Sequence, residues 1–263
     1  SELQLLGFHT LAERRAALTG KYALWLDGVI RVLMEVEGCD ADEAKRIMAG
    51  HERDGLSTRA FYRLLQSRIG DRMLVDKSPS YAFDPESLAK AEQDFEGALY
   101  IHLVRHPYAA VRSFVNMRMD QVMYLGDHGL SARQLGEAIW TLSHRNITDF
   151  LEGVPAGRKF RLTFEELVSD PTGTMQALCA ALGLDFHPSL VRPYEDVDRK
   201  MTDGIYAQST PMGDTRFRQH GRIDATIADR WKDVAFDDFL GDVTWETAAG
   251  FGYAGPGAET AVP

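Results

Sequence analysis

With 263 residues, 44% of them hydrophobic, the chain can bury the core of one large domain, which excludes disorder as its default state. Its formal net charge of −10 repels DNA, RNA and anionic membrane, so any bound anion must meet a local basic pocket. The two cysteines, Cys39 and Cys179, stand far apart without C-x-x-C spacing, which argues against a disulfide framework or a thiolate zinc site and fits a reducing, cytoplasmic setting.

The opening stretch SELQLLGFHTLAERR lacks a basic region followed by an apolar run, and no apolar run approaches the ~20 residues of a membrane span. A soluble protein is expected. Thr10 and Glu13 have the spacing of a capping box, so a helix starts there and runs toward Leu18. Apolar residues then recur at helical spacing through Tyr22 to Val36, Ala41 to Met48 and Ala60 to Ile69, with Gly38, Gly50 and Gly70 as stops. Arg72 to Val75 is a first short run of strand character, and Leu99 to Val104 a second. Between them Asp84 caps a helix that opens on Pro85 and ends near Asp94. Pro107 starts a helix toward Met119, Ser131 caps another that carries Trp140 and ends near Leu151, and Lys159 to Thr163 reads as a third strand. Pro171 to Leu182 is a helix closed by Gly183. Strands alternating with helices predict an α/β fold, a parallel sheet flanked by helices with right-handed crossovers. From Pro188 to Ile223 the pattern breaks into Pro, Gly, Asp and Arg, as in long loops over a site, and residues 253–263 read as a linker or tail.

In an open α/β sheet, ligands bind beyond the carboxyl ends of the strands. There the sequence puts Asp76-Lys77-Ser78, Arg105-His106-Pro107 and Phe164-Glu165-Glu166. Lys77 and Arg105 then share a sheet edge with the positive end of the helix that starts at Pro107, which predicts an anion site. Ser113 lies two turns into that helix and can turn its hydroxyl toward the same anion. Arg216, Arg218, His220 and Arg222 form a second basic cluster, and arginine's planar fork suits phosphate. Each of these residues also has an ordinary reading: a surface ion pair for Arg105, a partner for Asp76 in Lys77, a solvated basic stretch for the arginines. Trp140 and Trp231 read as packing residues. His102 and His106, on a strand and its exit, do not converge as metal ligands would on a helix, so no metal is expected.

LYIHLVRHPYAAVRSF, with Arg105 and Ser113, resembles the 3'-phosphate-binding segment of sulfotransferases that use the nucleotide donor PAPS. DKSPSY resembles that family's lysine-bearing segment, and FEELVSDP its YEDLxxDP segment, with Phe164 where the family has tyrosine. TDGIYAQS, GDTRFRQHGRID and ADRWK are similar to the sulfotransferase domains of modular synthases, of the curacin polyketide synthase and olefin synthase type. The resemblance implies in-line transfer of a sulfuryl group from PAPS, without a metal, leaving PAP. The acceptor it implies is the β-hydroxyl of an acyl chain on an acyl carrier protein, before a thioesterase releases a terminal alkene by decarboxylation. It casts Lys77 as the group that stabilises charge on the leaving oxygen, Arg105, Ser113, Phe164 and Arg222 as donor-binding residues, and Glu2 or His220 as the base. The family's PRSGST-like loop for the 5'-phosphosulfate has no counterpart here. SELQLL resembles the segment that follows that loop and its helix, with Glu2 at its glutamate. Residues 1–252 are therefore expected to be a P-loop-like sulfotransferase domain without its N-terminal strand and phosphate loop. The alternative is a truncated or degenerate, non-catalytic module with a structural or carrier-binding role.

Overall fold

The computed structural model describes residues 2–122, 128–196, 204–206, 220–232 and 239–255. They fall into two compact units, residues 1–96 with 194–221 and residues 97–193 with 222–263.

In the first unit, the capping box at Thr10 forms as expected and opens helix α1, Leu11–Ala17. The helix expected from Tyr22 begins instead as a 3-10 segment, Gly20–Leu26, and becomes α-helical only in α2, Asp27–Glu37, which Gly38 ends at a φ of 64°. Helix α3, Ala41–Arg53, runs through Gly50 rather than stopping there. A glycine inside a helix costs only about 1 kcal/mol, and the buried Ala44 and Met48 hold α3 onto the core. Helix α4, Thr58–Ile69, is capped by Ser57 and closed by Gly70. Helix α5, Pro85–Asp94, starts on the Asp84 cap. The apolar faces of these helices meet around Leu5, Leu11, Leu33, Phe61 and Leu65, all fully buried. Each such side chain contributes roughly 1.5–3 kcal/mol over its exposed state. The strand expected at Arg72 to Val75 is not one: the segment is irregular, with Val75 71% exposed. A strand needs a neighbour to complete its ladder, and none pairs with it among the described residues.

The second unit holds the sheet. Strands β1, Tyr100–Val104, and β2, Lys159–Thr163, pair in parallel with Tyr100 opposite Lys159 and Val104 opposite Thr163. Between them run α6, Pro107–Asn116, the short α7, Met119–Val122, and α8, Ala132–Glu152, opened by a Ser131 capping box. Then come α9, Phe164–Ser169, α10, Pro171–Leu182, and α11, Asp242–Ala249. Alternation sends His102 and Val104 of β1 inward, while Ile101 and Leu103 stay exposed on the other face. Val104, Trp140 and Ala248 form a core that Phe251 and Tyr253 complete. No helix among the described residues is long and apolar enough to cross a membrane.

Candidate functional site

Glu2 lies outside any helix or strand, so its own backbone does little to hold it. The first unit ties it down. Leu3, Gln4 and Leu5 are buried, and side chains from distant segments hold their backbone. The Tyr81 hydroxyl accepts from the N–H groups of Leu5 and Leu6 at 2.8 and 3.3 Å and donates to Asp76 Oδ2 at 2.9 Å. Tyr62 donates to the same carboxylate oxygen. Arg14, fully buried, donates from Nε to the carbonyls of Leu3 and Gln4 and from Nη2 to that of Trp25. Burial pulls its pKa down to about 10, so it stays charged at neutral pH. Burial likewise raises the Asp76 carboxyl, and the Tyr62, Tyr81 and Ser78 hydroxyls only partly offset that.

This frame brings two predicted residues together: Lys77 Nζ lies 3.1 Å from Glu2 Oε1. His220 is not joined to them by any hydrogen bond among the described residues, and its ring instead meets Tyr194, with centroids 5.6 Å apart. Arg216 and Arg218 lie outside the described residues. Gln4, Tyr62, Tyr81 and Arg14 were not singled out from sequence, and Asp76 was read only as an ion-pair partner of Lys77, whereas it binds the two tyrosines. Their partners are separated by as many as 76 positions, and no local pattern signals such pairs.

Close backbone packing completes the frame. A Cβ on Gly28, in α2, would stand 1.9 Å from the Glu2 carbonyl oxygen. Gly28→Ala must therefore lift the Glu2 segment off α2, at a cost of roughly 1–3 kcal/mol, as for other overpacking changes. Urea denaturation checks this; an unchanged midpoint would mean that the segment can shift freely.

In the second unit, Arg105 follows β1 and lays its guanidinium over the Phe164 ring, 4.3 Å from its centre. Burial lowers its pKa, against the attraction of Glu165 and Tyr253. Its Nε is buried without a hydrogen-bond partner among the described residues. Glu165 makes its hydrogen bonds elsewhere: Oε1 accepts from the His106 N–H at 3.1 Å and Oε2 from the Tyr253 hydroxyl at 2.7 Å. The Trp140 indole donates to the Arg105 carbonyl at 3.0 Å, so the strand exit is clamped from two helices, α8 and α9. Ser113 is half-buried in α6, its hydroxyl 3.8 Å from Met117 Sδ. Arg222 is exposed and, after Thr226 and Arg230, helps hold the Asp224 carboxyl below its ordinary value. Trp231 stacks on the buried His106 ring at 3.6 Å, while Trp140 packs in the core. Arg105 and Phe164 are thus brought into contact, and Glu165 and Tyr253 are neighbours whose part here sequence reading did not assign.

No curated protein matches the chain. Two solved structures do, each at 34% identity over 97% of this chain. One is a sulfotransferase domain from the curacin biosynthetic pathway, of which 88% is covered at a TM-score of 0.85. The other is a sulfotransferase domain from the Synechococcus PCC 7002 olefin synthase, of which 85% is covered at a TM-score of 0.83. The sulfotransferase family model matches residues 8–188. By sequence over that span and by fold over nearly its whole length, this chain belongs to the sulfotransferase family.

Proposed function

We propose that the chain transfers a sulfuryl group from PAPS to a hydroxyl, and that the acceptor is the β-hydroxyl of an acyl chain on an acyl carrier protein, ahead of decarboxylative release as a terminal alkene. The observation that carries the donor reading is the buried Nε of Arg105, without a partner among the described residues and held on the Phe164 ring at the exit of a parallel strand. A buried donor without an acceptor is costly, and a phosphate oxygen would satisfy it. The acceptor reading draws support from the two similar structures, one from the curacin pathway and one from an olefin synthase.

When bound, PAPS supplies the sulfuryl group. Arg105 and Ser113 would hold its 3'-phosphate, Arg222 would add a charged donor, and Phe164 would offer an apolar ring to the base. Glu2 takes the proton of the acceptor hydroxyl, with His220 as the alternative base. Lys77 presents an ammonium to negative charge that builds as the bond to the donor breaks. In this role its contact with Glu2 keeps base and cation within one hydrogen bond of each other before the substrates arrive.

The test gives the complete domain, joined to the phosphate loop that has no counterpart in this sequence, PAPS with a β-hydroxyacyl carrier protein, its unhydroxylated analogue, or free phenols and alcohols, and reads sulfation by mass spectrometry. Sulfate is expected on the first alone. Sulfated phenols with an untouched carrier substrate would remove the carrier reading and keep the transferase. No sulfation of any acceptor would favour the non-catalytic alternative.

A further inference from the structure

Glu2 is held by a residue only two positions away. Gln4 donates from Nε2 to Glu2 Oε2 at 2.9 Å, and its Oε1 accepts from Ser80 Oγ at 2.7 Å. Its backbone N–H donates to Ser78 Oγ at 3.3 Å, and its carbonyl accepts from Arg14 Nε at 3.1 Å. All four of its polar groups are engaged, and the residue is only 8% exposed. Yet its φ is 51°, a left-handed conformation that few residues other than glycine, asparagine and aspartate adopt. Glycine would sit there without strain. A side chain kept on such a backbone points to a task for that side chain.

The other contact to Glu2 cannot do the fixing. Lys77 is 75% exposed along its side chain, and exposed ion pairs between long side chains hold geometry weakly. The buried amide of Gln4, itself anchored by Ser80, is the rigid partner. Each carboxylate oxygen can accept two hydrogen bonds. With Gln4 on one oxygen and Lys77 on the other, each keeps a position open for an acceptor hydroxyl.

We infer that Gln4 is the positioning residue of the acceptor site, its amide holding the Glu2 carboxylate beside Lys77 in the orientation that receives the hydroxyl proton. This rests on the reading of Glu2 as the base. Gln4→Gly separates the roles, because it removes the amide, keeps both backbone hydrogen bonds and suits the left-handed φ. In crystal structures of the full chain, the variant should fold as the parent does while the Glu2 side chain loses its single conformation. Turnover of a carrier-bound β-hydroxy acceptor should fall about 10- to 100-fold, the scale of a misplaced catalytic group, with PAP affinity unchanged. Ser80→Ala, which loosens the amide without touching this backbone, should move turnover the same way by a smaller factor. Glu2 still ordered beside Lys77 in Gln4→Gly would overturn the inference, whatever the activity. Glu2 disordered at an undiminished rate would instead remove Glu2 from the chemistry, and with it the reading on which the inference rests.

Discussion

Acidification from pH 7 to pH 4.5 should cost the fold about 5 kcal/mol through one pair of histidines, comparable to the whole stability of many domains. His102 Nε2 and His144 Nδ1 lie 2.8 Å apart, boxed in by Trp140 and Phe251. One of these nitrogens must donate and the other accept, so the pair is satisfied only while at least one ring is neutral. Burial lowers both: His102 to about 4, helped by the positive charge of Arg161, and His144 to about 3, helped by His102. Both pKa values in the folded state lie below the unfolded value near 6.5, so the unfolded chain binds more protons as the pH falls through that window. Stability is therefore complete above pH 6.5 and declines toward pH 4, at roughly 1.4 kcal/mol per pH unit for each ring. His106, buried against Trp231 and lowered to about 4 by burial and by Lys232, acts with the same sign. Asp76 and Glu52 oppose it, since burial raises both carboxyls and their protonation favours the folded state. Thermal denaturation at pH 7.5, 6.0, 5.0 and 4.5 gives the slope. His144→Gln, which retains one hydrogen bond to His102 and removes one titrating ring, should roughly halve the pair's part of it. A dependence of melting temperature on pH that is the same in His144→Gln as in the parent would show that the pair does not titrate on unfolding.

What could be read in the sequence was local. The caps at Thr10, Asp84 and Ser131 and the glycine stops at Gly38 and Gly183 depend on residues within one turn of each other, and all stand where the spacing puts them. Strand β2 has its expected ends for a similar reason, bounded by Pro155 and Gly157 before it and by the Thr163 capping box after it. Arg72 to Val75 shows the limit, because an apolar run states a preference and only a partner makes a strand. The candidate site divides the same way. Arg105 and Phe164 were legible as residues that follow strands. The frame around Glu2 was not, because Tyr81, Asp76, Tyr62 and Arg14 act through contacts between segments far apart in the chain. A left-handed glutamine leaves no mark at all in a sequence read by propensity.

Arg105→Ala should weaken binding of PAP by about 2–4 kcal/mol, or roughly 30- to 1,000-fold, while leaving the fold nearly intact. The asymmetry follows from what each part of the residue does. Its carbonyl accepts from the Trp140 indole, a backbone bond that alanine retains. Its guanidinium rests on Phe164, and its buried Nε has no partner among the described residues. Glu165 attracts it without a hydrogen bond to Nε, its two carboxylate oxygens accepting from the His106 N–H and the Tyr253 hydroxyl. Removing the side chain therefore deletes an unsatisfied buried donor, which costs folding little, and deletes the partner of a desolvated phosphate, which costs binding much. Arg105→Lys should fall between the two, keeping the charge and losing the planar fork that pairs with phosphate. Calorimetry on the full chain, at one fixed salt concentration, measures all three. Equal affinity of Arg105→Ala and the parent would place the 3'-phosphate elsewhere. An affinity loss matched by an equal loss of stability would mean that the guanidinium braces the strand exit instead of waiting for an anion.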